Sequence, residues 1–284
     1  MQDWTAAMRC GDFAAAWALA AADAPRRDPA TRDDPRLPYH LRWVWDGAPV
    51  EGREVLVRCY HGLGDTLMFA RFLPLLAARA ATVTVEMQPR LLPLFRGLAG
   101  IRLVPFDEAA PLKPHECDLE IMDLSLALRA APEDAPPPYI KATPAALPEG
   151  TVALCWRAGG WDDSRSVPEG LFARLQGHPL VSLVEGPTAL PVLNPQGCPM
   201  DMPLTARLVA GASLVITVDT MVAHLAGALG RPVWLLLKHD PDWRWPTASE
   251  RTPWYPTMRI YRQTAPGAWG AIMARVVADL AALR

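Results

Sequence analysis

The stretch Leu214–Leu237, LVITVDTMVAHLAGALGRPVWLLL, constrains this chain more than any other. It opens on an apolar run, Leu214–Val218, that suits a strand buried on both faces. Asp219 and Thr220 interrupt the run. Met221–Leu229 then sets Val222, Leu225, Ala226 and Leu229 at helical spacing, and Gly230 and Pro232 stop the helix. Val233–Leu237 is a second buried run. Strand, short polar turn, helix and strand make a βαβ unit, whose strands are parallel. Ligands of such a unit sit at the carboxyl end of the strand, where the next helix presents unpaired N–H groups and partial positive charge. Asp219, Thr220 and Met221 stand there, and a diphosphate is the natural ligand for that place.

The rest of the chain narrows the class. A length of 284 residues suits two ordinary domains or one large one, and 51% hydrophobic residues let each half bury a core. A net charge of −2 argues against nucleic acid as partner. No apolar run reaches the length of a membrane span, so at most peripheral membrane contact is expected. The first residues, MQDWTAAMRCGDF, lack the layout of a signal peptide. Five cysteines, at 10, 59, 117, 155 and 198, are scattered without a CxxC, which suggests neither disulfides nor a zinc site. A reduced, cytoplasmic protein is expected.

Residues 3–24 are Ala-rich and read as two short helices split at Gly11-Asp12, like a single tetratricopeptide-type unit. The charged, Pro-rich segment 25–38 reads as a linker. Strand and helix patterns then alternate. Strands are expected at Glu54–Tyr60, Thr82–Met87, Ile101–Phe106 and within Cys117–Leu124, with helices at Thr66–Ala80 and Pro89–Leu98. The Pro-rich segment 132–148, with Pro136-Pro137-Pro138, is the best boundary. Alternation resumes with strands at Thr151–Trp156 and Leu180–Glu185, helices at Pro168–Gln176 and Thr205–Ala212, and the opening stretch. Met258–Tyr261 is a last short strand and Ala268–Leu283 a last helix. The expected fold class is α/β: a helical extension and linker (1–38) and two Rossmann-like domains, 39–140 and 141–284, facing a cleft, with the last helix a candidate to pack back on the first domain.

Several residues could carry chemistry. His61-Gly62-Leu63-Gly64-Asp65 follows the first strand, and its glycines permit close backbone approach and positive φ. Asp65 is either an N-cap or a general base that takes a proton from a sugar hydroxyl. Trp156–Ser166 carries Arg157 and Arg165; each either forks onto phosphate oxygens or pairs with Asp162, Asp163 or solvent. His224 lies one turn after Thr220 and either donates to a phosphate or ribose or is a partly buried histidine with a local partner. Asp240-Pro241-Asp242 offers too few ligands to specify a metal. Trp243, Trp245, Trp254 and Tyr255 form an aromatic patch that either packs between elements or stacks on a base or sugar.

Three segments carry a family resemblance: WDGAPVEGREVLVRCYHGLGDTLMFARFLPLL, LCWRAGGWDDSRSVPEGLFARL and the run from VDTMVAHLAGALGRPVW to MRIYRQ. They resemble family 9 glycosyltransferases, which include heptosyltransferases, and most closely the subgroup fused to tetratricopeptide repeats. The resemblance implies a GT-B fold and metal-independent, inverting transfer from a nucleotide-diphosphate sugar held by the second domain. No cofactor is implied. The acceptor would be a hydroxyl of a saccharide, a lipid-linked saccharide or a protein. By resemblance Asp65 is the base of the GD motif, Arg165 falls at a basic phosphate contact, and Asp219, Thr220, Met221 and His224 match the donor-phosphate motif. Arg157 joins that donor set, while His61, Gly62, Gly64, Trp243 and Arg244 are assigned to the acceptor side or the cleft. Tyr60-His61 departs from the acidic or amide pair common in the fused subgroup. The alternative function is an inactive nucleotide-sugar-binding or protein-interaction module of the same fold.

Overall fold

The computed structural model describes residues 3–160, 162–175 and 177–283. The chain forms two compact units, Met1–Pro136 and Pro137–Arg284. No helix among the described residues is long and apolar enough to cross a membrane.

The first unit opens with helices α1 (Trp4–Cys10) and α2 (Phe13–Asp23), which pack on each other. Asp3 and Asp12 cap them by accepting the Ala6 and Ala15 N–H groups, and Gly11 ends α1 in the left-handed conformation at φ 74°. Four parallel strands follow: β1 (Glu54–Arg58), β2 (Thr82–Met87), β3 (Ile101–Pro105) and β4 (Cys117–Glu120), in the order β3-β2-β1-β4. The helix expected at Thr66–Ala80 begins earlier and breaks in two. Helix α3 spans Leu63–Phe69, a 3-10 turn takes Ala70–Phe72, and α4 spans Leu73–Ala77. Pro74 sits in the first turn of α4, where its missing N–H is tolerated, and the ladder cannot run through it. Pro93 acts likewise: the helix expected at Pro89–Leu98 is one turn, α5 (Leu92–Phe95). Helix α6 (Leu124–Leu128) closes the unit.

One face of this sheet is ionic. Arg58, 1% exposed, donates to Asp118 Oδ2 at 2.8 and 3.1 Å and to Glu86 Oε2 at 3.2 Å. Both carboxylates also accept backbone N–H groups of the β3–β4 connection, Glu86 from Leu112 and Asp118 from His115. A buried ion pair survives only when its remaining lone pairs are satisfied in this way.

The second unit holds five parallel strands: β5 (Val152–Cys155), β6 (Leu180–Ser182), β7 (Leu214–Val218), β8 (Val233–Leu237) and β9 (Met258–Arg262), in the order β6-β5-β7-β8-β9. Helices α7 (Met202–Gly211), α8 (Met221–Ala228) and α9 (Trp269–Ala281) accompany them. The helix expected at Pro168–Gln176 is instead a 3-10 segment, Glu169–Arg174, closed by Leu171 N–H to Pro168 O and Leu175 N–H to Phe172 O. Gly170 in its first turn weakens any α-helical start, and Gln176 lies outside the described residues. Helix α9 packs on β9 and on this 3-10 segment, within its own unit.

Every residue of β7 and β8 is buried, as is α8 from Val222 to Ala228. A helix buried this fully needs small residues where neighbours come close. Gly227 is such a place: a Cβ there would fall inside the Tyr255 ring. Gly227→Ala gains helix propensity of about 1 kcal/mol, but the overlap with a ring that is itself fully buried costs more. The substitution is expected to destabilise the second unit by about 1–3 kcal/mol net, read as a lower denaturant midpoint with an unchanged slope; an unchanged or higher midpoint would refute the packing described.

Candidate functional site

In the second unit the strand order reverses between β5 and β7: the chain leaves β5 for β6 on one side and returns through β7, β8 and β9 on the other. Ligands of open parallel sheets bind at such a switch point, outside the carboxyl ends of the strands. Two segments meet there, the loop after β5 and the Asp219-Thr220 turn after β7. Arg165 ties them together. Its guanidinium donates to Asp219 O at 2.9 Å, to Gly159 O at 3.3 Å and to Asp162 O at 3.4 Å, and the residue is 9% exposed. The carboxylate of Asp162 is engaged elsewhere, with Lys238 Nζ at 2.7 Å, and the Lys238 and Ser164 hydrogen bonds hold it down to about 2. Arg157, also in the loop, is exposed, and Trp161 lies outside the described residues.

Asp219 is buried beside this junction. Burial, reinforced by the negative charge of Asp242 and opposed by Arg244 and Arg165, lifts its carboxyl to about 6. Thr220 occupies the N-cap of α8 in an extended conformation, φ −155° and ψ 176°, and its side chain makes no capping bond. The first-turn N–H groups of α8 thus have no side-chain cap of their own, beside half-buried Thr220 and Met221.

His224 has the local partner that one reading of the sequence gave it. It is 4% exposed, its Nδ1 is 3.1 Å from Tyr255 Oη, and its ring stacks on Trp245 with centroids 5.5 Å apart. Trp245, Trp254 and Tyr255 are 0%, 1% and 0% exposed, so these three rings of the aromatic patch are core packing and not a stacking platform. Trp243 is half-buried under the Arg244 guanidinium, 4.3 Å from the ring centroid, and Arg244 pairs with Asp242 at 2.7 Å.

A cavity of about 420 Å³ adjoins the switch point, within the range of small-molecule sites. It is lined by Ser164, Lys238, His239, Asp240, Gln263 and Trp269, among others. Gln263 Oε1 accepts the His239 N–H at 3.1 Å, while Gln263 Nε2 is buried with no hydrogen-bond partner. Sequence reasoning missed Lys238, His239 and Gln263. Their signal was position: Lys238 and His239 directly follow β8, and Gln263 directly follows β9.

In the first unit the order reverses between β1 and β4. The loop after β1 carries the Gly62–Asp65 motif. Asp65 is not the N-cap the sequence suggested: α3 starts earlier, Gly62 is its N-cap, and Asp65, third in the helix, reaches back so that its Oδ2 accepts the Gly62 N–H at 3.0 Å. Neither Gly62 nor Gly64 has positive φ, contrary to the expectation from sequence; Gly62 lies at φ −67°. Gly62 is needed for space, since a Cβ would sit 3.3 Å from that same carboxylate oxygen. Gln88 braces the loop, donating to His61 O at 2.8 Å and accepting from Thr66 Oγ1 at 2.9 Å. His61 Nε2 lies 3.5 Å from Oε2 of Glu120, the last residue of β4 and a residue the sequence did not single out. Among the described residues no group of three or more His, Cys, Asp or Glu side chains could hold a metal ion.

Comparison with known proteins gives a consistent fold. Residues 197–266 match the model of glycosyltransferase family 9 (heptosyltransferase). Protein FlbA of Caulobacter vibrioides is 25% identical over 305 residues, covering 90% of this chain and 50% of FlbA, so the chain spans about half the length of that relative. The ADP-heptose lps heptosyltransferase II of E. coli superposes with a TM-score of 0.59 at 15% identity, over 81% of this chain and 98% of that one. The iron-containing dodecameric glycosyltransferase TibC of enterotoxigenic E. coli H10407 gives 0.58 at 13% identity, over 83% and 78%, and has also been solved with ADP-D-β-D-heptose. The fold is therefore the parallel α/β fold of GT-B heptosyltransferase structures, preceded by a helical segment.

The raised Asp219 carboxyl has a direction in pH. A carboxyl at about 6 in the folded state and near 3.8 unfolded stabilises the fold below the unfolded value, and that contribution is lost as pH rises through 6. Asp219→Asn is therefore expected to gain stability relative to the parent between pH 4 and pH 7, by roughly 3 kcal/mol at most. Denaturant unfolding of both proteins across that range checks it; a difference that stays constant or runs the other way removes the burial argument.

Proposed function

We propose that this chain is an inverting, metal-independent glycosyltransferase that moves a sugar from a nucleotide-diphosphate sugar to an acceptor hydroxyl. The observation that carries the reading is the junction at the second switch point, where Arg165 fastens the loop after β5 to the turn that starts α8. That arrangement brings a helix N-terminus and a loop that carries Arg157 and Arg165 to one place, which suits a diphosphate. The adjoining cavity has the volume and the mixed lining to take the nucleoside. ADP-heptose is the first donor to try, because TibC binds ADP-D-β-D-heptose.

In the proposed reaction the acceptor oxygen attacks the anomeric carbon as the carbon–oxygen bond to the diphosphate breaks. The electron pair of that bond leaves on the diphosphate. Its charge is met by the start of α8 at Thr220 and Met221 and by Arg157, with Arg165 acting through its field while it holds the loop. His224 acts indirectly, by fixing α8 against Trp245 and Tyr255. Asp65 takes the acceptor proton. Kinship with the subgroup fused to tetratricopeptide repeats is the finer reading, and the α1–α2 pair supports it.

A second reading is favoured by one observation: Asp65 already accepts the Gly62 N–H. If capping is its whole role, the chain is a nucleotide-sugar-binding module without turnover.

Calorimetry with ADP, followed by an ADP-release assay on ADP-heptose, separates the two readings. A transferase binds ADP and turns the donor over. Asp65→Asn is then expected to leave ADP affinity within about twofold and to lower turnover by about 10²–10⁴-fold. Binding without turnover in the parent supports the module, and parental turnover in the variant removes Asp65 as the base.

A further inference from the structure

Glu120 is a buried carboxylate of the first unit that the mechanism above does not use. Glu120 ends β4 at the switch point, its side chain is 5% exposed, and its Oε2 accepts the Met122 N–H at 2.8 Å. Its Oε1 is buried with no hydrogen-bond partner. The same Oε2 is 3.5 Å from Nε2 of His61, an ion-pair distance longer than a formed hydrogen bond. His61 is 28% exposed, so the imidazole connects a buried carboxylate to the accessible side of the loop. It also immediately precedes Gly62, whose N–H holds the carboxylate of Asp65.

We propose that His61 is the residue on which the acceptor's proton finally rests, and that Glu120 is the positioning residue that orients its imidazole and sets its proton affinity. The inference rests on the transferase reading and adds a second acid–base group to it. The hydroxyl's O–H bond breaks as the oxygen attacks, Asp65 receives the proton, and the proton moves on to the imidazole nitrogen away from Glu120. Asp65 is restored as a carboxylate, and the His61–Glu120 pair goes from one negative charge to neutral. Release of that proton to solvent through the exposed edge of the ring resets the pair.

The surroundings of Glu120 favour proton uptake. Burial, then the negative charge of Asp123 in the turn after β4, then that of Asp65 on α3, raise its carboxyl well above the ordinary range. The Cys59 thiol from the loop after β1 is itself pushed up, by burial and by the nearby Glu120 charge. The charged partner beyond is Arg27, which opposes burial at Asp123, where the carboxyl still stands at about 6. A carboxylate beside an imidazole in such a setting titrates as a pair, with a proton affinity that belongs to both. A proton acceptor works best with an affinity near the operating pH, and imidazole is the side chain whose ordinary range lies there.

The test uses the full chain, ADP-D-β-D-heptose as donor and water as acceptor, with ADP release followed from pH 5 to 9. The parent is expected to lose rate on an acidic limb. Glu120→Gln removes the negative charge beside the imidazole and moves that limb to lower pH. His61→Gln abolishes the limb and lowers the rate at pH 8 by at least about tenfold, while Asp65→Asn lowers the whole profile and leaves the limb in place. His61 is exposed enough for its substitution to fold, which thermal unfolding verifies. Separately, NMR titration of the His61 ring in the parent and in Glu120→Gln is expected to show a lower midpoint in the variant. An acidic limb unmoved by either substitution, or a His61 midpoint indifferent to Glu120, overturns the inference. A parent that binds ADP yet releases none from the donor overturns the transferase reading and the proton-accepting role with it; the titration still decides whether the pair exists.

Discussion

The second unit depends on a cation bonded to carbonyl oxygens. Arg165 has a carboxylate close in sequence, Asp162, yet the guanidinium reaches the backbone of Asp162, Gly159 and Asp219. These carbonyl acceptors lie at the carboxyl ends of β5 and β7, so the guanidinium stands where the two segments meet. Its charge partly offsets the cost of burying Asp219. One side chain thus ties together the two segments that border the crevice. Lys238 takes the Asp162 carboxylate, at 2.7 Å.

The first unit reaches a related end by another route. Its buried Arg58 is fully paired, by Asp118 and Glu86, and works as internal scaffolding. The polarity at its switch point comes instead from acids, Asp65, Glu120 and Asp123, with His61 at the rim.

Much of this was legible in the chain, for a simple reason. Strands buried on both faces are written as largely apolar runs between polar punctuation, and Leu214–Val218 and Val233–Leu237 begin and end where those runs do. Pairs close in sequence were readable only in part: a local bond for Asp65 was expected, but as an N-cap, whereas it stands three residues into the first turn and accepts from Gly62 behind it. What escaped depended on distance along the chain. Glu120 meets His61 from 59 positions away, and the Gln263–His239 contact spans 24. Arg165 was singled out as a phosphate ligand, but its carbonyl partner 54 residues on was invisible, because any residue supplies a carbonyl. The 3-10 segments at Ala70–Phe72 and Glu169–Arg174 were hidden for the opposite reason. They keep helix-like spacing, and only the local effect of Pro74 or Gly170 distinguishes them.

The connection between β3 and β4 shows how little side-chain information such a fold can need. It is shaped by two amide donors, Leu112 to Glu86 and His115 to Asp118, and any residue with an N–H could supply them. The exception is proline, and prolines stand immediately before each donor, at Pro111 and Pro114. There they stiffen the backbone and withhold no proton the carboxylates require. Slide the segment by the one position that puts Pro111 and Pro114 in those two places and both donors vanish. The tolerance of this stretch to drift is thus wide in composition and narrow in frame: its letters are nearly interchangeable, its spacing is not.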